Sequence, residues 1–95
     1  MTDLDIQLAQ ALDLPIFTLA NYTFVDGRHD WSPSTRWDQA GPLIEEYGVS
    51  LKKQGDYWLA ECKSTDTIAR FYTYFDESPT VAAMMCIHEI LTRRH

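Results

Sequence analysis

Ninety-five residues with 45% apolar and 13% aromatic content supply the material of one small domain, 1–95, built on a single core. Fourteen acidic against eight basic side chains give a net charge of −6, which repels phosphate backbones and anionic lipid and argues against direct nucleic-acid or membrane partners. The longest uncharged apolar run, 81–87, is far shorter than the ~20 residues of a bilayer span, and no secretory n-region precedes an apolar stretch.

Thr2 with Asp5 three residues on has the form of an N-terminal cap, and Leu4, Leu8, Ala11 and Leu12 recur on one helical face. The pattern predicts an amphipathic helix over 3–13. Pro15 is expected to end it, because its ring cannot continue the ladder and it restricts Leu14. Residues 17–24 are aromatic and β-branched enough for one short strand, while Asp26-Gly27 and His29-Asp30 predict a turn and an exposed loop. Ser34 or Thr35 can cap a second helix with Asp38 in its first turn and Gly48 at its end. Gly41-Pro42 inside it predicts a kink or two short pieces.

From Val49 the period becomes two: Val49 and Leu51 alternate with Ser50 and Lys52, and Gly55-Asp56 turns the chain into a strand over 57–62. A polar turn at 63–66 leads to a third strand over 68–75. Asp76 or Ser78 can cap the last helix, 79–94, with Pro79 at its first position and positive charge at its end. At about 100° per residue, Ala83, Met84, Cys86, Ile87, Ile90 and Leu91 share the core-facing arc. Val81 and Met85 fall outside it, beside His88, Glu89 and Thr92. The order predicts an α+β fold: a three-stranded antiparallel meander packed with an N-terminal helix, a kinked middle helix and a C-terminal helix.

The chemistry-bearing residues form no catalytic or metal-binding set. Cys62 and Cys86 stand 24 apart, His29, His88 and His95 make no pair at ligand spacing, and Cys86 and His88, two apart on a helix, do not face each other. The cysteines read as reduced, buried thiols of a cytoplasmic protein. Neighbouring acids such as Glu45-Glu46 and Asp3/Asp5 point apart and form solvated faces. No glycine-rich phosphate loop and no Ser/His/Asp order is present, so the expectation is a protein that is not an enzyme and needs no cofactor or metal.

Aromatic residues carry the sharper signal. Tyr57, Trp58, Phe71, Tyr72, Tyr74 and Phe75 crowd two neighbouring strands, and a sheet exposes every second side chain. Tyrosines tolerate water at their hydroxyls, so Tyr72 and Tyr74 are expected to face outward as a partner-binding pair.

Two stretches carry a resemblance. Residues 31–45, Trp-Ser-Pro-Ser-Thr-Arg-Trp-Asp-Gln-Ala-Gly-Pro-Leu-Ile-Glu, resemble the SPSTDW-x-Q-G-G-P-I-I-E block of the NinX-like family of small bacteriophage and prophage proteins. Residues 78–86, Ser-Pro-Thr-Val-Ala-Ala-Met-Met-Cys, resemble the same family's TP-x-I-AAMRC block. The Gly-x-Tyr-Trp-x-Ala hairpin and the leading helix with Ala11-Leu12 fit in order between and before them. The resemblance implies a phage-encoded accessory protein in a bacterial cytoplasm. Arg36 stands where the family pattern has Asp, and Met85 where it has Arg; if those two positions pair in the family, this chain has lost both partners.

Two functions of different class follow. The first is a binding module that attaches to a host protein or protein complex and inhibits a defence or regulatory assembly, in an anti-CRISPR-like manner or by imitating nucleic acid with aligned carboxylates. Its candidate contacts are Tyr72, Tyr74, Glu45, Glu46 and Asp38. The second is a small-molecule binder with a pocket between the segment 37–42 and the sheet, lined by Trp31, Trp37 and Trp58. A structural alternative is a homodimer through Val81 and Met85.

Overall fold

The computed structural model describes residues 2–63 and 71–93. Helix α1, Asp3–Ala11, opens on a full capping box: Thr2 accepts from the Asp5 amide, and the Asp5 carboxylate accepts from the Thr2 amide at 2.9 Å. Its end is set by Asp13, not by Pro15. Asp13 takes a left-handed φ of 59°, the Asp13 amide bonds the Gln10 carbonyl and the Leu14 amide bonds the Ala9 carbonyl. Those two bonds satisfy carbonyls the helix would otherwise strand.

The single short strand expected over 17–24 is a hairpin of its own. β1, Ile16–Leu19, pairs antiparallel with β2, Tyr22–Val25, in the register Leu19↔Tyr22 and Ile16↔Val25. Ala20 and Asn21 both have positive φ, 51° and 68°, the two-residue turn whose twist matches the strands. Alanine at a left-handed position hides that turn from a sequence reading, because its usual marker is glycine. Phe17 and Phe24, opposite each other, stack with centroids 5.0 Å apart.

Helix α2, Trp37–Tyr47, is one helix with Pro42 inside it, not two pieces. Neither Ser34 nor Thr35 caps it; Arg36 holds the cap position, and its side chain makes no capping bond to the helix. Gly48, φ 64°, closes it with the same pair of bonds that ends α1: its amide bonds Glu45 and the Val49 amide bonds Ile44.

The expected meander is present: β3, Ser50–Gln54, β4, Tyr57–Lys63, and β5, Phe71–Asp76, in the order β3-β4-β5, all antiparallel. The beginning expected for the third strand, 68–70, lies outside the described residues. Helix α3, Pro79–Thr92, is capped by Ser78, whose hydroxyl accepts from the Val81 amide, while Asp76 accepts from the Ser78 amide.

α3 is the centre of the molecule. It packs against β4 and β5 on one side and against α1 and α2 on the other. Ala82, Ala83, Met84, Cys86, Ile87 and Ile90 are buried along it, and Leu91 packs partly against the same cluster. A helix covered on two sides needs apolar residues over more than one narrow stripe, and Ala82 supplies the extra width.

The loop between β2 and α2 is fixed by one buried carboxylate. Asp5 is 0% exposed and accepts from five donors: the Thr2 amide and hydroxyl, the Ser34 amide and hydroxyl at 2.9 and 2.8 Å, and the Ser32 hydroxyl at 3.4 Å. The Trp31 indole donates to the Asp5 carbonyl, and Gln39 bridges the Ser32 amide and the Asp30 carbonyl. Thr80 of α3 donates to the Ser34 carbonyl. The 31–39 block therefore joins all three helices.

Burial pushes the Asp5 carboxyl pKa up, but hydrogen bonds from Thr2 and Ser34 outweigh it and hold the group below its ordinary value of 3.8. The stability contributed by the ionised form is complete above that value and is lost as pH falls through the lower, folded value. Asp5→Asn is expected to cost about 3 kcal/mol at neutral pH, because an amide presents donors to donors. In urea titrations across pH the gap between wild type and variant should close only below the unfolded value. Gly48→Ala meets no neighbouring atom and should cost about 1 kcal/mol from backbone strain alone, read as a lower urea midpoint at constant slope.

Candidate interaction surface

The pleat and the register decide which side chains of the three-stranded sheet face α3. Cys62 pairs with Tyr72, Ala60 with Tyr74 and with Leu51, and Trp58 with Asp76. Ala60 and Cys62 are buried in the core, so this row is the inner one. The alternate row, Tyr57, Leu59, Glu61 and Lys63 on β4 with Phe71, Thr73 and Phe75 on β5, faces away from the helices.

Tyr72 and Tyr74 are therefore inward, half-buried and packed on the core cluster, which reverses the expectation for this pair. The phenylalanines point out instead: Phe71 is 64% and Phe75 56% exposed, with Tyr57 on the same face at 50%. The physical reason lies at the flank of α3. Tyr74 hydrogen-bonds Glu89, and burial followed by that bond raises the phenol's pKa. A tyrosine on the inner row spans the apolar body of the helix and reaches its polar side with the hydroxyl; a phenylalanine there would leave Glu89 without that donor.

This outer face carries Lys52 and Lys63, two of the three lysines of an otherwise acidic chain, while Lys53 belongs to the inner row beside Trp58. Lys52 stands opposite Leu59 and Lys63 opposite Phe71, with Glu61 between them. Lys53 lies over the Trp58 ring, 5.4 Å from its centroid.

The carboxylates singled out from the sequence do not form a row. Asp38 is salt-bridged to Arg36 at 3.1 Å, and Arg36 also reaches Asp30, which Arg28 holds at 3.0 Å. These exposed pairs lower the pKa of Asp30 and Asp38, chiefly through the arginine hydrogen bonds. Glu45 and Glu46 are exposed further along α2. The charge of Arg36 is thus answered by two aspartates close in sequence, and a partner at position 85 is not required. Val81 and Met85 are half-buried on α3.

A cleft of about 260 Å³ lies beside α2, lined by Arg28, Trp31, Asp38, Gln39, Pro42 and Leu43. It opens between the 28–31 loop and the helix, not between the helix and the sheet as expected. Trp31 lines it, whereas Trp37 is exposed and Trp58 belongs to the sheet. Among the described residues no group of three or more His, Cys, Asp or Glu side chains could hold a metal ion, and no helix is long and apolar enough to cross a membrane.

Residues 9–89 match the family model described as Bacteriophage P22, NinX. The chain belongs to this NinX family. A comparison with curated proteins gave no match. The matched span runs from the second half of α1 into α3 and contains the whole Trp31 to Gln39 loop and the outer sheet face. Membership supports a phage accessory protein.

The outward row could have been found from β4 alone, where Glu61 and Lys63 must point to water and so set the phase. Carrying that phase to β5 requires the register, which no local pattern supplies. Phe71→Ser and Phe75→Ser are expected to change stability by about 0.5 kcal/mol or less, as at other open surface sites, whereas Tyr72→Ser should cost about 2 kcal/mol or more. Urea denaturation of the three variants checks the orientation of β5.

Proposed function

We propose that this NinX-family protein is a phage accessory factor that works in the host cytoplasm by binding a host protein rather than by catalysis, with the outer face of the β3–β5 sheet as its contact surface. The observation that carries this reading is the exposure of Tyr57, Phe71 and Phe75 on a sheet face that no described element covers. Aromatic side chains are enriched at interface cores, and apolar clusters of this kind rimmed by polar groups mark contact sites. Lys52 and Lys63 flank the cluster in a chain of net charge −6. A partner surface with an apolar centre and an acidic rim complements it. The phage setting makes a host defence or regulatory complex the natural target, and inhibition by occupation of its surface the natural outcome.

Three neighbouring readings are weaker. Imitation of nucleic acid needs a line of free carboxylates, and Asp30 and Asp38 are neutralised by Arg28 and Arg36. A metabolite pocket needs about 300 Å³ or more with good enclosure, and the cleft at Trp31 falls below that. Self-association through Val81 and Met85 would use side chains already half-covered by their own chain.

Affinity capture from host lysate with wild type and with the double variant Phe71→Ser/Phe75→Ser tests the proposal. The expected result is a partner retained by wild type and lost by the variant while both keep the same melting temperature. A partner held equally by both proteins, or a wild type that elutes alone and scatters light as a dimer broken by the same variant, would overturn it.

A further inference from the structure

Cys62 and Cys86, 24 residues apart in the chain, are brought together between β4 and α3. Cys62 is 2% and Cys86 0% exposed, and neither is in a disulfide. The Cys62 thiol lies 3.6 Å from the backbone carbonyl oxygen of Cys86. Both sulfurs converge on one further atom, the Tyr72 carbonyl oxygen, at 3.9 Å from Cys62 and 3.3 Å from Cys86. Cys86 also reaches the Ala60 carbonyl at 3.4 Å. Tyr72 is the cross-strand neighbour of Cys62, so the register that places the tyrosine under α3 also places its carbonyl between the two thiols.

We propose that Cys62 and Cys86 are a paired-thiol modification site that hydrogen peroxide, a small neutral oxidant, converts to a disulfide joining the sheet to the central helix. In the first step the Cys62 sulfur attacks one peroxide oxygen and the O–O bond breaks. The departing hydroxide takes the thiol proton and leaves as water, and Cys62 becomes a sulfenic acid. In the second step the Cys86 sulfur attacks Cys62 Sγ and the S–O bond breaks. The released hydroxide takes the Cys86 proton as a second water. Two thiols lose one electron each, and one peroxide gains two.

The order of attack follows from the environment of each sulfur. The Cys86 thiol is held closely by two carbonyls, Tyr72 at 3.3 Å and Ala60 at 3.4 Å, which favour its protonated form, whereas the carbonyls nearest the Cys62 sulfur stand at 3.6 and 3.9 Å. In line with this, the neighbouring thiol lowers the Cys62 pKa against burial, and the same neighbour together with burial pushes the Cys86 thiol up. Cys62 is thus the sulfur that ionises and reacts first, and Cys86 the one that resolves. Burial excludes bulky thiol reagents and favours a small oxidant entering through local opening.

The test treats the purified chain with hydrogen peroxide and reads intact mass, free thiols after denaturation and the non-reduced peptide map. The expected result is a mass loss of about 2 Da, loss of both titratable thiols, a peptide linking Cys62 to Cys86, and full reversal by dithiothreitol. Cys86→Ser should stop at a sulfenic acid on Cys62 that dimedone traps, and Cys62→Ser should leave Cys86 unmodified under the same treatment. Two thiols that survive peroxide at doses oxidising free cysteine, a disulfide formed only between molecules, or a sulfenic acid trapped on Cys86 would each overturn the proposal. Wild type alone decides the first two outcomes, so they stand even where a serine variant folds poorly.

Discussion

The buried carboxylate of Asp5 is the constraint on which the helical half of the protein depends. Placing a charge where no water reaches it is costly, and it is tolerated only when its lone pairs are filled by hydrogen-bond donors. Here the donors come from Thr2, Ser32 and Ser34, so one side chain caps its own helix and anchors a loop almost thirty residues away. Ser34 then passes the connection on, since its carbonyl accepts from Thr80 at the start of α3. The conspicuous Trp-Ser-Pro-Ser-Thr run is therefore scaffolding. Its serines are donors to a buried acid, its tryptophan donates to the Asp5 carbonyl, and Gln39 clamps the loop from the first turn of α2.

The other half of the molecule is governed by a one-sided sheet. α3 covers the inner face of β3–β5, α1 and α2 back α3, and no described element covers the outer face. Tyr74 goes inward beside Glu89 on the flank of α3, Tyr72 packs on the core cluster, and the apolar aromatics are left to water. Leaving Phe71 and Phe75 exposed forgoes up to about 2 kcal/mol of burial at each site, a loss that contact with another molecule would recover. The same strand phase turns the Cys62 thiol toward Cys86, so the exposed aromatic face and the thiol pair are two results of one register.

Charge is handled locally. Arg28, Asp30, Arg36 and Asp38 neutralise one another at the surface beside α2, where such pairs contribute little to stability. The lysines gather instead on the sheet. Net charge of the whole chain consequently says little about the character of the surface offered to a partner.

The sequence by itself determined the order of the three helices and the meander, the capping box at Thr2 and Asp5, the cap and core arc of α3, and, through two motif blocks, the NinX family. Each of these rests on interactions within a few residues or on a sustained period, so each is written locally. The hairpin at β1 and β2 was not legible, because Ala20 occupies a left-handed position where the usual turn glycine is missing. The orientation of Tyr72 and Tyr74 was not legible either, because strand phase depends on pairing across a long connection and on a helix that arrives later in the chain. The roles of Asp5, Ser34, Cys62 and Cys86 were decided only by tertiary structure. A carboxylate becomes a hub, and two distant thiols become neighbours, only after folding removes water and brings remote donors within hydrogen-bond distance.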